Sequence, residues 1–109
     1  MRKRIFFYDS GSEYSMLSRS TYDKLLIKIP LAQTTRVGLG VQKVPFKIDG
    51  VVRLNCQFYD ETGETFCLPH EPFMVSAAID GNLFGMNTER RFRAVKREHD
   101  NYIHHREWK

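Results

Sequence analysis

Cysteine is scarce in this 109-residue chain, with only Cys56 and Cys67 and no Cys-x-x-Cys pair. That scarcity excludes a disulfide-stapled miniature fold and a cysteine-ligated zinc module. The two thiols flank Asp60-Glu61-Thr62-Gly63, so a hairpin there would bring them near one another. A disulfide and two free thiols both remain open, free thiols being the expectation for an intracellular protein. Long apolar runs are missing as well. The longest near-apolar stretches, residues 5–8 and 72–79, are far too short to cross a bilayer, and Arg2-Lys3-Arg4 does not lead into a signal-peptide apolar run. No membrane or secretory segment is expected, which places the protein inside the cell, in cytoplasm or nucleus. Proline is limited to four residues, and no Pro/Gly/Ser tract, repeat or low-complexity segment divides the chain. One domain with one small core is the expectation.

What is present is a globular composition, 41% hydrophobic, 13% aromatic and 28% charged, with a net charge of +4. The excess is uneven. Residues 88–109 hold seven Lys and Arg against four acids. The interspersed acids read as a solvated helix surface, and no groove-reading motif or RNP-like aromatic pattern accompanies the charge. Nucleic acid is not expected as a partner. His99, His104 and His105 are candidate metal ligands by type, but without cysteines nearby they read as a solvated tail, and no metal is expected.

Along the chain, Ile5, Phe6, Phe7 and Tyr8 form an aromatic and β-branched run that stops at Asp9-Ser10-Gly11-Ser12, predicting a strand that enters a tight loop. Residues 14–18 predict a short strand. Ser20-Thr21-Tyr22-Asp23 ahead of Lys24-Leu25-Leu26 has the pattern of a capping box opening a short helix, closed by Pro30. Over residues 34–44, β-formers surround Gly38 and Gly40, which predicts a mobile hairpin tip. Val44, Phe46 and Ile48 then alternate with Pro45, Lys47 and Asp49, and Asp49-Gly50 predicts a hairpin turn into a strand over 51–59. A turn at 60–64, a strand at 65–68, a kink bracketed by Pro69 and Pro72, and a buried strand over 73–79 follow. Asp80-Gly81 turns the chain into Asn82-Leu83-Phe84-Gly85-Met86. Asn87 is placed to cap a final helix through about Glu98, with Phe92 and Val95 on its apolar stripe and Glu89 four residues before Arg93. The result is a mostly-β chain with one short helix and one C-terminal helix, residues 99–109 forming a basic polar tail.

Asp9-Ser10-Gly11 is the one constellation that carries chemistry. A carboxylate at a strand end, in a loop where Gly11 lets the backbone come close, suits acid-base work; it equally suits a surface Asx turn. The longer string decides between them. Phe7-Tyr8-Asp9-Ser10-Gly11-Ser12, followed by Ser15 and the apolar pair Met16-Leu17, resembles the active-site segment of retroviral-type and retrotransposon-type aspartic proteases. Leu83-Phe84-Gly85 ahead of a helix resembles that family's second signature, and Val37-Gly38-Leu39-Gly40-Val41 stands where its glycine-rich flap stands. The three features come in the family's order.

The resemblance implies a retropepsin-like half-barrel over residues 1–98 and a homodimer in which each chain gives one Asp9. The two carboxylates, held about 3 Å apart, would share one proton and activate water against a peptide bond, with no cofactor and a polypeptide as substrate. Ser10 would brace the two loops across the axis, and Gly11 would allow the close approach. Ser12 would hydrogen-bond the ionised carboxylate, so that Ser12→Ala would move the activity optimum to higher pH. The sequence also departs from the pattern: Tyr8 replaces the usual aliphatic residue before the aspartate, only eight residues precede Asp9, and the C-terminal segment is too polar for the family's closing strand. An alternative from another class follows from these departures, a retrotransposon-derived domain that no longer cleaves and serves as a dimerisation or scaffold module of a larger regulatory protein.

Overall fold

The computed structural model describes residues 6–25, 29–34, 36–40, 44–59 and 62–107, with side chains described for these except residues 39 and 99–107. The elements are β1 (Phe7–Tyr8), β2 (Met16–Ser18), α1 (Arg19–Asp23), β3 (Val37–Leu39), β4 (Pro45–Lys47), β5 (Gly50–Tyr59), β6 (Thr65–Ser76), β7 (Leu83–Phe84) and α2 (Met86–Glu107). Five strands form one sheet in the order β1-β7-β2-β6-β5, and β3 and β4 form a separate pair. The mostly-β character with one short and one terminal helix is as the patterning predicts. β7 is parallel to β1 and antiparallel to β2, while β2 is parallel to β6.

Alternation along β2 and β6 buries both faces of this sheet. Leu17, Phe73 and Val75 join Val52 in one buried group, against which Phe6, Tyr22, Leu31, Leu54 and Phe58 pack. Their neighbours in sequence, Met16 and Met74, point the other way and join Ile48, Tyr14, Phe46 and Leu83. Each fully buried side chain of this size stabilises the fold by roughly 1.5–3 kcal/mol. A third apolar knot docks the terminal helix: Phe92 on α2 meets Phe58, Phe66 and Phe84 edge-on at centroid distances of 6.2, 5.4 and 6.4 Å.

Several local expectations are corrected. Asp49-Gly50 is not a hairpin turn, because β4 pairs with β3 and β5 with β6. Asp49 is drawn to the end of β6 instead: its N–H donates to Val75 O at 2.7 Å, and its carboxylate accepts from Ala77 N at 3.0 Å. Gly50 then lets residue 32 approach, since a Cβ there would lie 2.7 Å from Leu31 Cβ and 2.8 Å from Ala32 O. Ala32 and Val51 exchange N–H···O bonds of 2.8 and 3.0 Å beside it.

Pro69 and Pro72 do not break the sheet, and β6 runs through them to end at Ser76 rather than Ile79. The register steps from Leu54↔Glu71 to Cys56↔Leu68, so Pro69 and His70 together face Asn55. This is a bulge, and His70 takes a φ of 54° within it. The Asn55 side chain accepts the His70 N–H at 3.0 Å.

The short helix begins earlier than its predicted capping box. Ser18, leaving β2, is the N-cap, its Oγ accepting from Thr21 N at 3.1 Å, and α1 ends at Asp23. The terminal helix begins at Met86, with Asn87 inside it rather than capping it. It continues past Glu98 to Glu107, since residues 86–107 contain neither Gly nor Pro to stop it.

The disulfide alternative is removed by register. Cys56 faces Leu68 and Cys67 faces Gln57, adjacent rungs whose side chains point to opposite faces; both cysteines are free, Cys56 half-buried and Cys67 exposed.

Candidate active site

The loop from Asp9 to Ser15 joins β1 to β2, yet these strands are not neighbours, because β7 lies between them. The loop must therefore pass over the end of β7, and the residues that follow β7 meet it there. Asp9 N donates to Phe84 O at 3.1 Å, Met86 N to Ser12 O at 2.9 Å, and Asn87 N to Glu13 O at 2.8 Å. The first two N–H groups of α2, which a helix cannot satisfy internally, are thus paired with loop carbonyls. Two side chains complete the lock: Gly85 N donates to Ser15 Oγ at 2.9 Å, and Ser15 N donates to Asn87 Oδ1 at 3.1 Å. Asn87 serves the loop rather than its own helix, which is why it does not cap.

Gly85 is required by contact. A Cβ at that position would stand 2.4 Å from Tyr14 C, 2.5 Å from Tyr14 O and 2.6 Å from Ser15 N, all backbone atoms with nowhere to go. Phe84 and Gly85 are therefore brought against the two ends of the loop, Phe84 at Asp9 and Gly85 at Tyr14 and Ser15, across some seventy residues of sequence. Phe84 supplies the carbonyl that fixes Asp9, and Gly85 supplies the close approach.

Within the loop, Gly11 N donates to Asp9 Oδ1 at 2.9 Å and Ser12 N to Asp9 O at 3.1 Å, a tight turn that holds the half-buried carboxylate by its own backbone. Ser10 and Gly11 are exposed on the turn. Ser12 does not bond the carboxylate: its Oγ donates to Tyr14 O at 2.7 Å, so its one hydrogen serves the loop backbone. The expected effect of Ser12→Ala on a pH optimum loses its basis. Glu13 forms an ion pair with Arg90 of α2, tying the loop to the helix once more.

The glycine-bearing hairpin is built beside this loop. In the β3–β4 pair Gly38 faces Phe46, whose ring occupies the space where a Gly38 Cβ would sit, and Gly40 N donates to Val44 O at 2.8 Å. Phe46 and Tyr14 pack on the same core group, and the Arg36 guanidinium sits 4.6 Å from the Tyr14 ring centroid. Val37 is 60% exposed, Leu39 ends the strand, and Val41 lies outside the described residues. Among the described residues no group of three or more His, Cys, Asp or Glu is placed to hold a metal ion. The side chains at 99, 104 and 105 lie outside those described.

Sequence reasoning did not single out Glu71 or Thr88, and it read Asn87 only as a helix cap. Glu71 carried a readable signal: it stands two and four residues before Phe73 and Val75, in the inward phase of β6, and is fully buried. Arg90, Arg91 and Arg93 each bond a carboxylate, of Glu13, Glu71 and Glu89 respectively, so their charge is locally matched. No helix among the described residues is long and apolar enough to cross a membrane. In comparisons with known protein families, curated proteins and solved structures, nothing matches the chain.

Proposed function

We propose that the chain is one half of a homodimeric, retropepsin-like aspartic endopeptidase with Asp9 as its catalytic residue. The observation that carries this reading is the convergence of the Asp9 loop with Leu83-Phe84-Gly85, joined by the Asp9 N to Phe84 O and Gly85 N to Ser15 Oγ bonds. A surface Asx turn needs no such support from a strand threaded beneath it. The β1 edge adds a second support. Phe7 and Tyr8, directly before Asp9, are 63% and 57% exposed, an apolar surface that a second copy would cover.

In the dimer the two Asp9 carboxylates share one proton. The ionised one takes a proton from water as the water oxygen bonds to the scissile carbonyl carbon, and the protonated one gives its proton to the carbonyl oxygen. Collapse of the tetrahedral diol breaks the C–N bond as one diol hydroxyl gives its proton to the Asp9 that had become ionised, and the departing nitrogen receives the proton taken from water, which restores the shared-proton pair. The β3–β4 hairpin closes over an extended peptide held by strand-like hydrogen bonds.

The test is sedimentation of the purified chain together with cleavage of a mixed peptide library from acidic to neutral pH, wild type beside Asp9→Asn. A cleaving dimer whose activity drops about a thousandfold in the variant is the expected result. A dimer that cleaves nothing leaves the non-cleaving scaffold module in its place, and a monomer removes both.

A further inference from the structure

Glu71 is a fully buried acid, remote in sequence from the Asp9 loop, and the proposed chemistry does not use it. Its two oxygens are both engaged. Arg91 of α2 pairs with Oε2 and also donates to Pro69 O at 3.1 Å, while Thr88 Oγ1 donates to Oε1 at 2.9 Å. Thr88, also fully buried, contacts Ser15 Oγ, which in turn accepts the Gly85 N–H at 2.9 Å. These four groups form a single file from β6 through α2 to the loop.

The file has a direction, and Glu71 sets it. Thr88 has one hydroxyl hydrogen and three acceptors in reach, Ser15 Oγ, Glu71 Oε1 at 2.9 Å and Asn87 Oδ1 at 3.3 Å. The charge-assisted bond to the carboxylate takes it. Thr88 Oγ1 is then an acceptor toward Ser15, so Ser15 gives its hydrogen to Thr88 and presents a lone pair to Gly85 N–H. Without the carboxylate, the Thr88 hydrogen turns to Ser15 Oγ or Asn87 Oδ1, the atoms that accept from Gly85 N and Ser15 N, and competes with those bonds. Both fastenings of Ser15 depend on which way the Thr88 hydrogen points.

We infer that Glu71 is a positioning residue for the Asp9 loop, acting through Thr88 and Ser15 to seat that loop on Gly85. The inference concerns the placement of the loop, and its consequence for cleavage rests on the reading of Asp9 given above.

Glu71→Leu tests it, with Glu71→Gln as the conservative partner. Removing one partner of a buried ion pair is costly chiefly because the other charge is left buried, and Arg91, half in solvent, avoids that by turning outward. Global stability in Glu71→Leu therefore stays close to wild type and the loss falls on the local lock. Amide hydrogen exchange read by NMR should show the Gly85 and Ser15 N–H groups exchanging about fivefold or more faster in Glu71→Leu, with the β5–β6 amides unchanged. Glu71→Gln, whose amide oxygen still accepts from Thr88, restores most of the protection. In the cleaving dimer, kcat falls roughly tenfold in Glu71→Leu with KM nearly unchanged, and Glu71→Gln recovers part of it.

Wild-type exchange at Gly85 and Ser15 in Glu71→Leu overturns the inference whether or not the protein cleaves. Faster exchange there in a protein that cleaves nothing upholds the positioning role and removes the protease reading. If Glu71→Leu does not fold, Thr88→Val against Thr88→Ser decides the same question, with protection at Gly85 lost in the first and kept in the second.

Discussion

Cys56 and Cys67 differ by one rung of a hairpin and by almost everything else. Burial pushes the Cys56 thiol from its ordinary 9.0 up to about 12; the Glu71 carboxylate adds to the rise and the Arg91 charge opposes it. The folded state thus favours the neutral thiol. Its contribution to stability is complete below pH 9 and is lost as pH climbs from 9 toward 12. At pH 8 the thiolate fraction of Cys56 is about a thousandfold below that of an ordinary thiol. An alkylating reagent at that pH should label the native protein once, at Cys67, and Cys56 only after denaturation. Peptide mapping by mass spectrometry reads this directly, and comparable labelling of both residues in the native protein would contradict the burial of Cys56.

At the scale of elements, α2 is the part that ties the Asp9 loop to the rest of the sheet. Its first turn meets the Asp9 loop through Met86, Asn87 and Thr88, and one turn later Phe92 inserts among Phe58, Phe66 and Phe84. Phe92→Ala should cost about 2 kcal/mol, less than a fully buried phenylalanine because Phe92 is half-buried. Urea unfolding followed by circular dichroism measures it, with a lower midpoint and an unchanged slope expected. The exposed Arg93–Glu89 pair on the same helix contributes far less. Element identity was largely legible from local pattern: the β-formers at 51–59, the apolar stripe of the last helix, and the strand running into Asp9 all stand where periodicity places them. Boundaries and pairings were not. Asp49-Gly50 has the local chemistry of a hairpin turn, but a bond from Asp49 N to Val75 O overrides it. Pro69 and Pro72 suggest a break, but a bulge with one residue at positive φ accommodates them. Such outcomes are fixed by partners distant in sequence, and no local window contains them.

For the whole molecule, the candidate site was legible in its ends and not in its middle. Asp9-Ser10-Gly11 and Leu83-Phe84-Gly85 could be read as motifs, whereas the Glu71, Thr88 and Ser15 file that ties them became visible only with the fold. On the dimeric reading each site draws one Asp9 from each chain, which yields a test by mixing. Wild type and Asp9→Asn unfolded together in equal amounts and refolded should retain about a quarter of the specific activity per chain of wild type, the fraction of dimers with two wild-type chains. Retention of one half would mean that a single chain carries a complete site.

The insertion of β7 between β1 and β2 also orders events in time. A ribosome that has delivered the first seventy residues has delivered Asp9, the glycine hairpin and β5, yet the strand that separates β1 from β2 does not exist until Leu83 and Phe84 emerge. The Asp9 loop has nothing to pass over before then, and α2, which fastens it, comes later still. Formation of the site waits on closure of a loop of more than seventy residues, a slow and non-local step. Through that interval the nascent chain carries Asp9 in a loop whose supports have yet to form.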